Sequence, residues 1–299
     1  MNIAISGISG LTGSFLSERL LNRGDCVVSL SRNDFQQGEK HLTEKLDGVD
    51  AVVHLAGAPI LKRWTPKWKE IIRKSRTETT SLLVGAINKM SAPPEILVSA
   101  SAVGIYDIYE VHDEYSTNYA DDFLANVCKA WEEEALKVDD SKVRLCITRF
   151  GLVLSEQAGA LKQMLLPFKL GLGGRIGDGL QPMPFIHIDD LTSALEWLIS
   201  SKDKKGVFNL VAPQMISNLE FTKALGKVIK RPAFLTLPER GLKLLYGDAA
   251  QVLVKGQKVV SKRLQEEGFR FTYPDIHSAL VNLLKANKKG TESQNESVP

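Results

Sequence analysis

Apolar and polar positions alternate between two rhythms over the first 150 residues. NIAIS, residues 2–6, is a short apolar run rich in β-branched side chains. Leu11 to Arg23 then places apolar residues at 11, 15, 16, 20 and 21, one face of a helix. Gly24 stands where a C-terminal glycine ends such a helix. CVVSLS, DAVVHLAG, EILVSAS and VRLCITRF read as further strands. Residues 66–90 and 123–138 read as helices between them, with Pro66 suited to a first turn. Strands alternating with helices predict a parallel sheet covered on both faces. The fold class expected is therefore α/β, a Rossmann-like doubly wound parallel sheet, over residues 1–165.

Beyond Gly151 the texture changes. Seven glycines or prolines fall between Leu170 and Phe185, which predicts a long irregular loop. A helix over 191–200 and the strand VFNLV follow, and part of 185–212 is expected to return to the first domain. Residues 166–286 are expected to form a smaller C-terminal α/β substrate domain. The polar stretch 287–299 is expected to be a disordered tail.

Composition narrows the function classes. A chain of 299 residues holds one large or two modest domains. The net charge of +3 is small and scattered, so no nucleic-acid partner is expected. The dense basic stretch 62–76 is interleaved with Trp64, Trp68, Ile71 and Ile72 at helical spacing and reads as a solvated helix face. Three cysteines without metal spacing suggest neither a disulfide framework nor a metal site. No run of 18 uncharged apolar residues occurs, and no basic leader precedes the first strand. A cytoplasmic protein without a membrane partner is the expectation.

The stretch GISGLTG carries the first chemistry. It follows a strand and opens a helix, the context in which a glycine-rich turn cradles a dinucleotide. Gly7 permits the tight turn, Gly10 a close approach of backbone to pyrophosphate, and Gly13 close packing of helix on strand. Ser9, Leu11 and Thr12 complete the turn, and the helix N-terminus favours negative charge. The plainer alternative is a packing turn in a domain that binds nothing. At the end of the second strand an NAD site wants an acidic residue for the ribose 2′-hydroxyl. Ser31 and Arg32 stand there instead, and a hydroxyl with a guanidinium suits a 2′-phosphate. NADP(H) is thus expected in preference to NAD(H), against the alternative that Arg32 is an ordinary surface residue.

The spacing Gly-x-x-Gly-x-x-Gly resembles that of the extended short-chain dehydrogenases/reductases. HLAGAPILKRWTPKWKEIIRKSRTETT, VSASAVGIY, DDFLANVCKAWE, TRFGLVLS and LLPFKLGLGGRIGDGLQPMPFIHIDDL together resemble their atypical branch labelled epimerase family protein, a kind of NAD-dependent epimerase/dehydratase. NLVAPQMISNLEFTKALGKVIKRPAFLTLPE and LVKGQKVVSKRL resemble the small C-terminal domain of unknown function in that branch. The resemblance runs to about residue 285. It implies a cofactor across Gly7, Gly10 and Gly13, with Ser31 and Arg32 at the adenosine phosphate. Leu55, Ala56 and Gly57 would line the cofactor, and Ser99, at the end of the fourth strand run, would lie near the nicotinamide. A homodimer through two long helices is common in such proteins. One departure is that NDFQQGEKHLTEKLDGV replaces a longer stretch with a short strand in relatives.

The family's acid/base pair is Tyr-x-x-x-Lys, which places an ammonium beside a phenol on one helix face and lowers its pKa. None of the six tyrosines here has lysine four residues on. Alignment on WEEEA puts Leu124 at the tyrosine and Cys128 at the lysine, while Ser101 falls where the family's serine belongs. Tyr106 and Glu114 are the candidates to supply a proton, with a solvated loop carboxylate as the alternative for Glu114. Cys128 reads as a buried small apolar residue rather than a nucleophile. His187, on an extended apolar segment, and Arg175, in the glycine-rich loop, are candidate substrate contacts, each with a plain structural alternative. Asp190 fits a helix N-cap. Two functions stay open: an oxidoreductase or nucleoside-diphosphate-sugar epimerase-like enzyme acting on a small polar, sugar-like molecule, or a regulatory NADP(H) sensor with little turnover.

Overall fold

The computed structural model describes residues 1–292, with side chains to residue 284. Its centre is a six-stranded sheet. The strands are β1 (Asn2–Ser6), β2 (Cys26–Leu30), β3 (Ala51–His54), β4 (Ile96–Ala102), β5 (Arg144–Phe150) and β6 (Gly206–Leu210), all parallel, in the order β2-β1-β3-β4-β5-β6. Alternation of side chains along each strand divides the core in two. Ile3 and Ile5 pack with Leu16 and Leu20 of α1 (Leu11–Arg23) and Leu191 and Leu195 of α4 (Ile188–Ser200). Ala4 and Val52 face the other way, against Leu83 and Ile87 of α2 (Pro66–Asn88). The helix α3 (Phe123–Ala135) lies beside α2, where Val127 meets Ile72. The expected doubly wound α/β fold is present.

The short stretch after β2 folds as two helices, Arg32–Gln36 and Glu39–Lys45, and contributes no strand. β2 therefore ends the sheet. The chain reverses its winding between β1 and β3, so the crevice at the C-terminal ends of these strands is the topological switch point where such sheets bind ligands.

A second core joins Leu154, Leu161, Phe168, Phe185, Phe221, Leu225 and Leu280. It is tied together by two-stranded parallel pairs, Leu152–Leu154 with Phe185–His187 and Gly174–Ile176 with Leu235–Leu237. The glycine-rich segment expected to be irregular thus contains a short strand. Its bends fall at Gly171, Gly177 and Gly179, all with positive φ. The helix Ile276–Glu292 extends through the first part of the stretch expected to be a disordered tail, and 293–299 lie outside the described residues. Among the described residues no helix is long and apolar enough to cross a membrane.

Two glycines set the crevice. Gly7 has φ +72°, and a Cβ there would stand 2.9 Å from the Leu55 carbonyl carbon. A Cβ on Gly13 would lie 2.3 Å from the Gly7 carbonyl oxygen. Alanine in a helix interior normally gains about 0.5–1 kcal/mol over glycine. Here Gly13→Ala is expected to lose about 1–3 kcal/mol, because the turn must move to admit the methyl. Urea unfolding of both proteins measures this; a gain in stability would show that α1 does not press on the turn.

Candidate functional site

The crevice opens over the glycine turn. Ser9 and Gly10 are exposed, and Gly7, Leu11 and Thr12 are half-buried. Gly10 occupies the N-cap of α1 in extended conformation, and no side chain caps the helix. The first-turn N–H groups and the positive end of the helix dipole are thus left for a ligand. Opposite them, Leu55 and Ala56 are half-buried and Gly57 exposed. A pyrophosphate fits this cradle: exposed backbone donors, no side chain at 7 or 10, and no acidic residue in the first turn of α1.

Beneath the turn runs a polar chain that sequence reading missed. The Ser6 hydroxyl accepts from Leu55 N at 3.1 Å and Ala56 N at 3.2 Å, so its proton goes to His54 Nδ1 at 2.6 Å. Nε2 then carries the imidazole proton and donates to Thr79 Oγ1 at 3.3 Å, which in turn donates to the Ser75 carbonyl at 2.9 Å. Burial pushes the His54 imidazole down to about 4, so it is neutral in this chain. These bonds fix the backbone of residues 55 and 56 facing Gly7.

Just beyond β2, Ser31 is the N-cap of the helix Arg32–Gln36. Its backbone N–H and its hydroxyl both donate to Asp34 Oδ2 at 2.6 Å. His41 and Lys45 hold the other oxygen, at 2.9 and 2.8 Å. Burial raises the Asp34 carboxyl, but the hydrogen bonds from Lys45, Ser31 and His41 outweigh it and hold it well below the ordinary carboxylate range. Arg32 is exposed and forms no ion pair among the described residues. The Ser31 hydroxyl is therefore already engaged, while Arg32 is free to meet a phosphate.

The proposed catalytic side chains have a different occupation. Ser101, at 3% exposure, donates to Glu132 Oε1 at 2.5 Å. Arg149 grips the same carboxylate with both edges of a fork, Nε to Oε1 at 2.8 Å and Nη2 to Oε2 at 2.7 Å. Its Nη1 donates to the Tyr106 hydroxyl at 2.7 Å. Tyr106 is fully buried, stacked on His112, and shares its proton between the Asp113 carbonyl and Asn209 Oδ1, both at 3.0 Å. Burial pushes its phenol up to about 12 in spite of Arg149. Glu114 accepts from the backbone N–H groups of Asn209 at 3.1 Å and Arg263 at 3.2 Å. Burial raises its carboxyl. Tyr106 and Glu114 thus join β6 and the C-terminal segments to the sheet and present no free proton donor to the crevice, a correction to the roles expected for them. Glu114 is not a solvated loop carboxylate either.

Other expectations also change. Ser99 is buried at 1% exposure, so its hydroxyl does not face the open crevice, and its backbone carbonyl accepts from Thr148 Oγ1 at 3.1 Å. His187 is the N-cap of α4: Nδ1 accepts from Asp189 N at 3.0 Å and Nε2 donates to Asn282 Oδ1 at 3.1 Å. At 1% exposure against the Tyr273 ring it takes the structural role, the alternative to a substrate contact. Asp190 lies inside the first turn of α4 and accepts from Thr272 N and Tyr273 N at 2.8 and 2.9 Å, so it clamps a distant segment rather than capping the helix. Arg175 lies on the strand Gly174–Ile176, where Nε donates to Thr236 Oγ1 at 3.4 Å. Cys128 is buried, and burial pushes its thiol up to about 12, the state of an inert thiol. Leu124 is half-buried. The sequence signal for the Glu132 network is a charged residue, Arg149, inside the apolar strand VRLCITRF.

Glu132→Gln keeps the shape and removes the charge, leaving Arg149 buried without a counterion. The variant is expected to lose about 3–5 kcal/mol in urea unfolding. A loss below 1 kcal/mol would mean that the pair is not sealed from water.

Comparison with known proteins agrees with this geometry. Residues 3–210 match the model of the NAD dependent epimerase/dehydratase family, and residues 237–283 match the domain of unknown function DUF1731. The chain is 34% identical over 302 residues to epimerase family protein YfhF of Bacillus subtilis, covering 96% of this chain and 99% of that one. The crystal structure of human epimerase family protein SDR39U1 with NADPH superimposes with a TM-score of 0.87 at 33% identity, covering 95% of this chain and 99% of that one. UDP-glucuronic acid 4-epimerase from Bacillus cereus, in complex with UDP-glucuronic acid and NAD, shares the fold alone, with a TM-score of 0.76 at 17% identity over 96% of this chain and 100% of that one. With its Rossmann-like sheet, its open glycine turn and its matched C-terminal segment, this chain belongs to the NAD dependent epimerase/dehydratase family.

Proposed function

We propose that the protein binds NADP(H), in preference to NAD(H), across the crevice at Gly7, Gly10 and Gly13, and exchanges hydride with a small polar, sugar-like substrate. The observation that carries the cofactor preference is the end of β2. The nearby acid that could hold a ribose 2′-hydroxyl, Asp34, is closed off by Ser31, His41 and Lys45, while Arg32 is exposed and unpaired among the described residues. The human relative was crystallised with NADPH, which supports the same reading. The α1 N-terminus would hold the pyrophosphate, and Leu55 to Gly57 would flank the cofactor on the other side. In this reading residues 1–165 carry the cofactor and 166–286 the substrate, in a cytoplasmic protein.

NADP(H) supplies a hydride donor or acceptor when bound. The protein's own residues bind and orient. Tyr106 and Glu114 hold their protons and lone pairs within the buried network, so solvent is the proton source in this reading. The same burial of Ser101, Tyr106 and Glu114 favours the second reading, a regulatory NADP(H)-binding protein with little turnover.

Fluorescence titration of purified protein with NADPH and NADH tests the cofactor assignment. Arg32→Ala is expected to weaken NADPH at least about tenfold, the worth of a charge-assisted contact, and NADH less than about twofold. Equal losses would sink the preference, and no binding of either nucleotide by the unaltered protein would sink the cofactor reading. NADPH oxidation on adding carbonyl compounds or nucleotide sugars decides for the enzyme; tight binding with no oxidation across the panel favours the sensor.

A further inference from the structure

Arg76 sits on α2 where that helix meets α3, and its guanidinium is held but not neutralised. Nη1 donates to the Ile72 carbonyl at 3.1 Å and Nη2 to the Ala58 carbonyl at 3.1 Å. Gly57 lies directly against it: a Cβ there would stand 2.9 Å from Cζ and 3.0 Å from Nη2. The Trp131 ring centroid lies 5.2 Å from Cζ. Among the described residues no carboxylate pairs with Arg76, whereas buried Arg149 has Glu132. The Nε–H makes no hydrogen bond among the described residues, and it is not sealed from solvent as the orphaned indole N–H of Trp131 is. A partly buried guanidinium with an open edge and no counterion is a costly arrangement, and a bound oxyanion would relieve it.

Its place in the crevice is specific. Gly7 of the glycine turn packs against Leu55 and Ala56, and the next residue, Gly57, packs against Arg76. Arg76 in turn lies against Trp131 of α3 and close enough to Cys128 for its charge to act on the thiol. Cys128 stands where alignment places the lysine of the family's acid/base pair. A cation from the neighbouring helix thus lies next to the position from which the lysine is missing.

We propose that Arg76 is the cation at the substrate end of the crevice and binds an oxyanion, carboxylate or phosphate, carried by the substrate. The proposal rests on the reading that the crevice takes NADP(H). A planar fork suits either oxyanion, since Nε–H and the remaining Nη2–H lie parallel on one edge. Only glycine at position 57 leaves the guanidinium room to lie there.

The test titrates the full-length protein, with and without saturating NADPH, with sodium malonate and with inorganic phosphate, against sodium chloride at matched ionic strength. The readouts are the thermal unfolding temperature and the fluorescence of bound NADPH. The unaltered protein is expected to bind one of the two anions saturably; malonate alone names a carboxylate and phosphate alone a phosphate. Arg76→Met is expected to weaken that anion at least about tenfold while NADPH affinity changes less than about threefold. If Arg76→Met does not fold, Arg76→Lys, which keeps the charge and loses the fork, is expected to weaken the anion with NADPH binding intact. Three results would overturn the proposal: no saturable anion binding by the unaltered protein, unchanged anion binding in the folded variants, or a tenfold loss of NADPH affinity on replacing Arg76, which would assign the guanidinium to the cofactor. Failure of the cofactor reading shows separately, as absence of NADPH binding by the unaltered protein, and the titrations without NADPH still report on Arg76.

Discussion

The ion pair of Glu132 and Arg149 is the contact on which the interior of this molecule turns. Both groups are almost wholly withdrawn from water, and neither could stay charged there alone. Burial works against the Arg149 charge, yet the hydrogen bonds it donates to Glu132 hold the guanidinium protonated. The pair ties α3 to β5, and its remaining donors reach Tyr106 and Tyr119. Through Tyr106 it reaches Asn209 on β6, whose side-chain amide donates to the Val260 carbonyl at 3.1 Å. One bidentate contact thus holds the centre of the sheet, the helix of the expected acid/base pair and the C-terminal segments in register. It also claims the Ser101 hydroxyl, which explains how a serine can stand at the family's catalytic position and face a structural carboxylate instead.

The second constraint is the short connection after β2. Too few residues lie between Arg32 and Asp50 for a strand with its crossings, so the segment closes as two helical turns against α2. Phe35, Leu42 and Leu46 cover the sheet face there. The switch point between β1 and β3 is unaffected, because it depends on the order of strands and not on their number. What changes is the stretch after β2, now built from a capping box and an exposed arginine.

The arginines divide by their partners. Arg149 is fully paired and serves the fold. Arg32 and Arg76 have no carboxylate partner among the described residues. The N-terminus of α1 carries no side-chain cap. These unneutralised positive groups are what the proposed anionic cofactor and substrate would meet.

The sequence alone determined the alternation of strand and helix, the glycine turn and the absence of Tyr-x-x-x-Lys, because these are local: periodicity, a positive φ at Gly7 and a fixed spacing of four residues. The same locality leaves the roles of Ser101, Tyr106, Glu114 and His187 open between ligand contact and structural alternatives. Each is buried against a partner from elsewhere in the chain: Glu132 for Ser101, Asn209 for Tyr106, Arg263 for Glu114 and Asn282 for His187. Arg76 erred in the opposite sense, read as part of a solvated helix face and found half-buried beside Gly57. A polar side chain's character is set by whether its partner comes from the protein or from outside, and only the tertiary structure decides that, because it alone brings together residues a hundred positions apart.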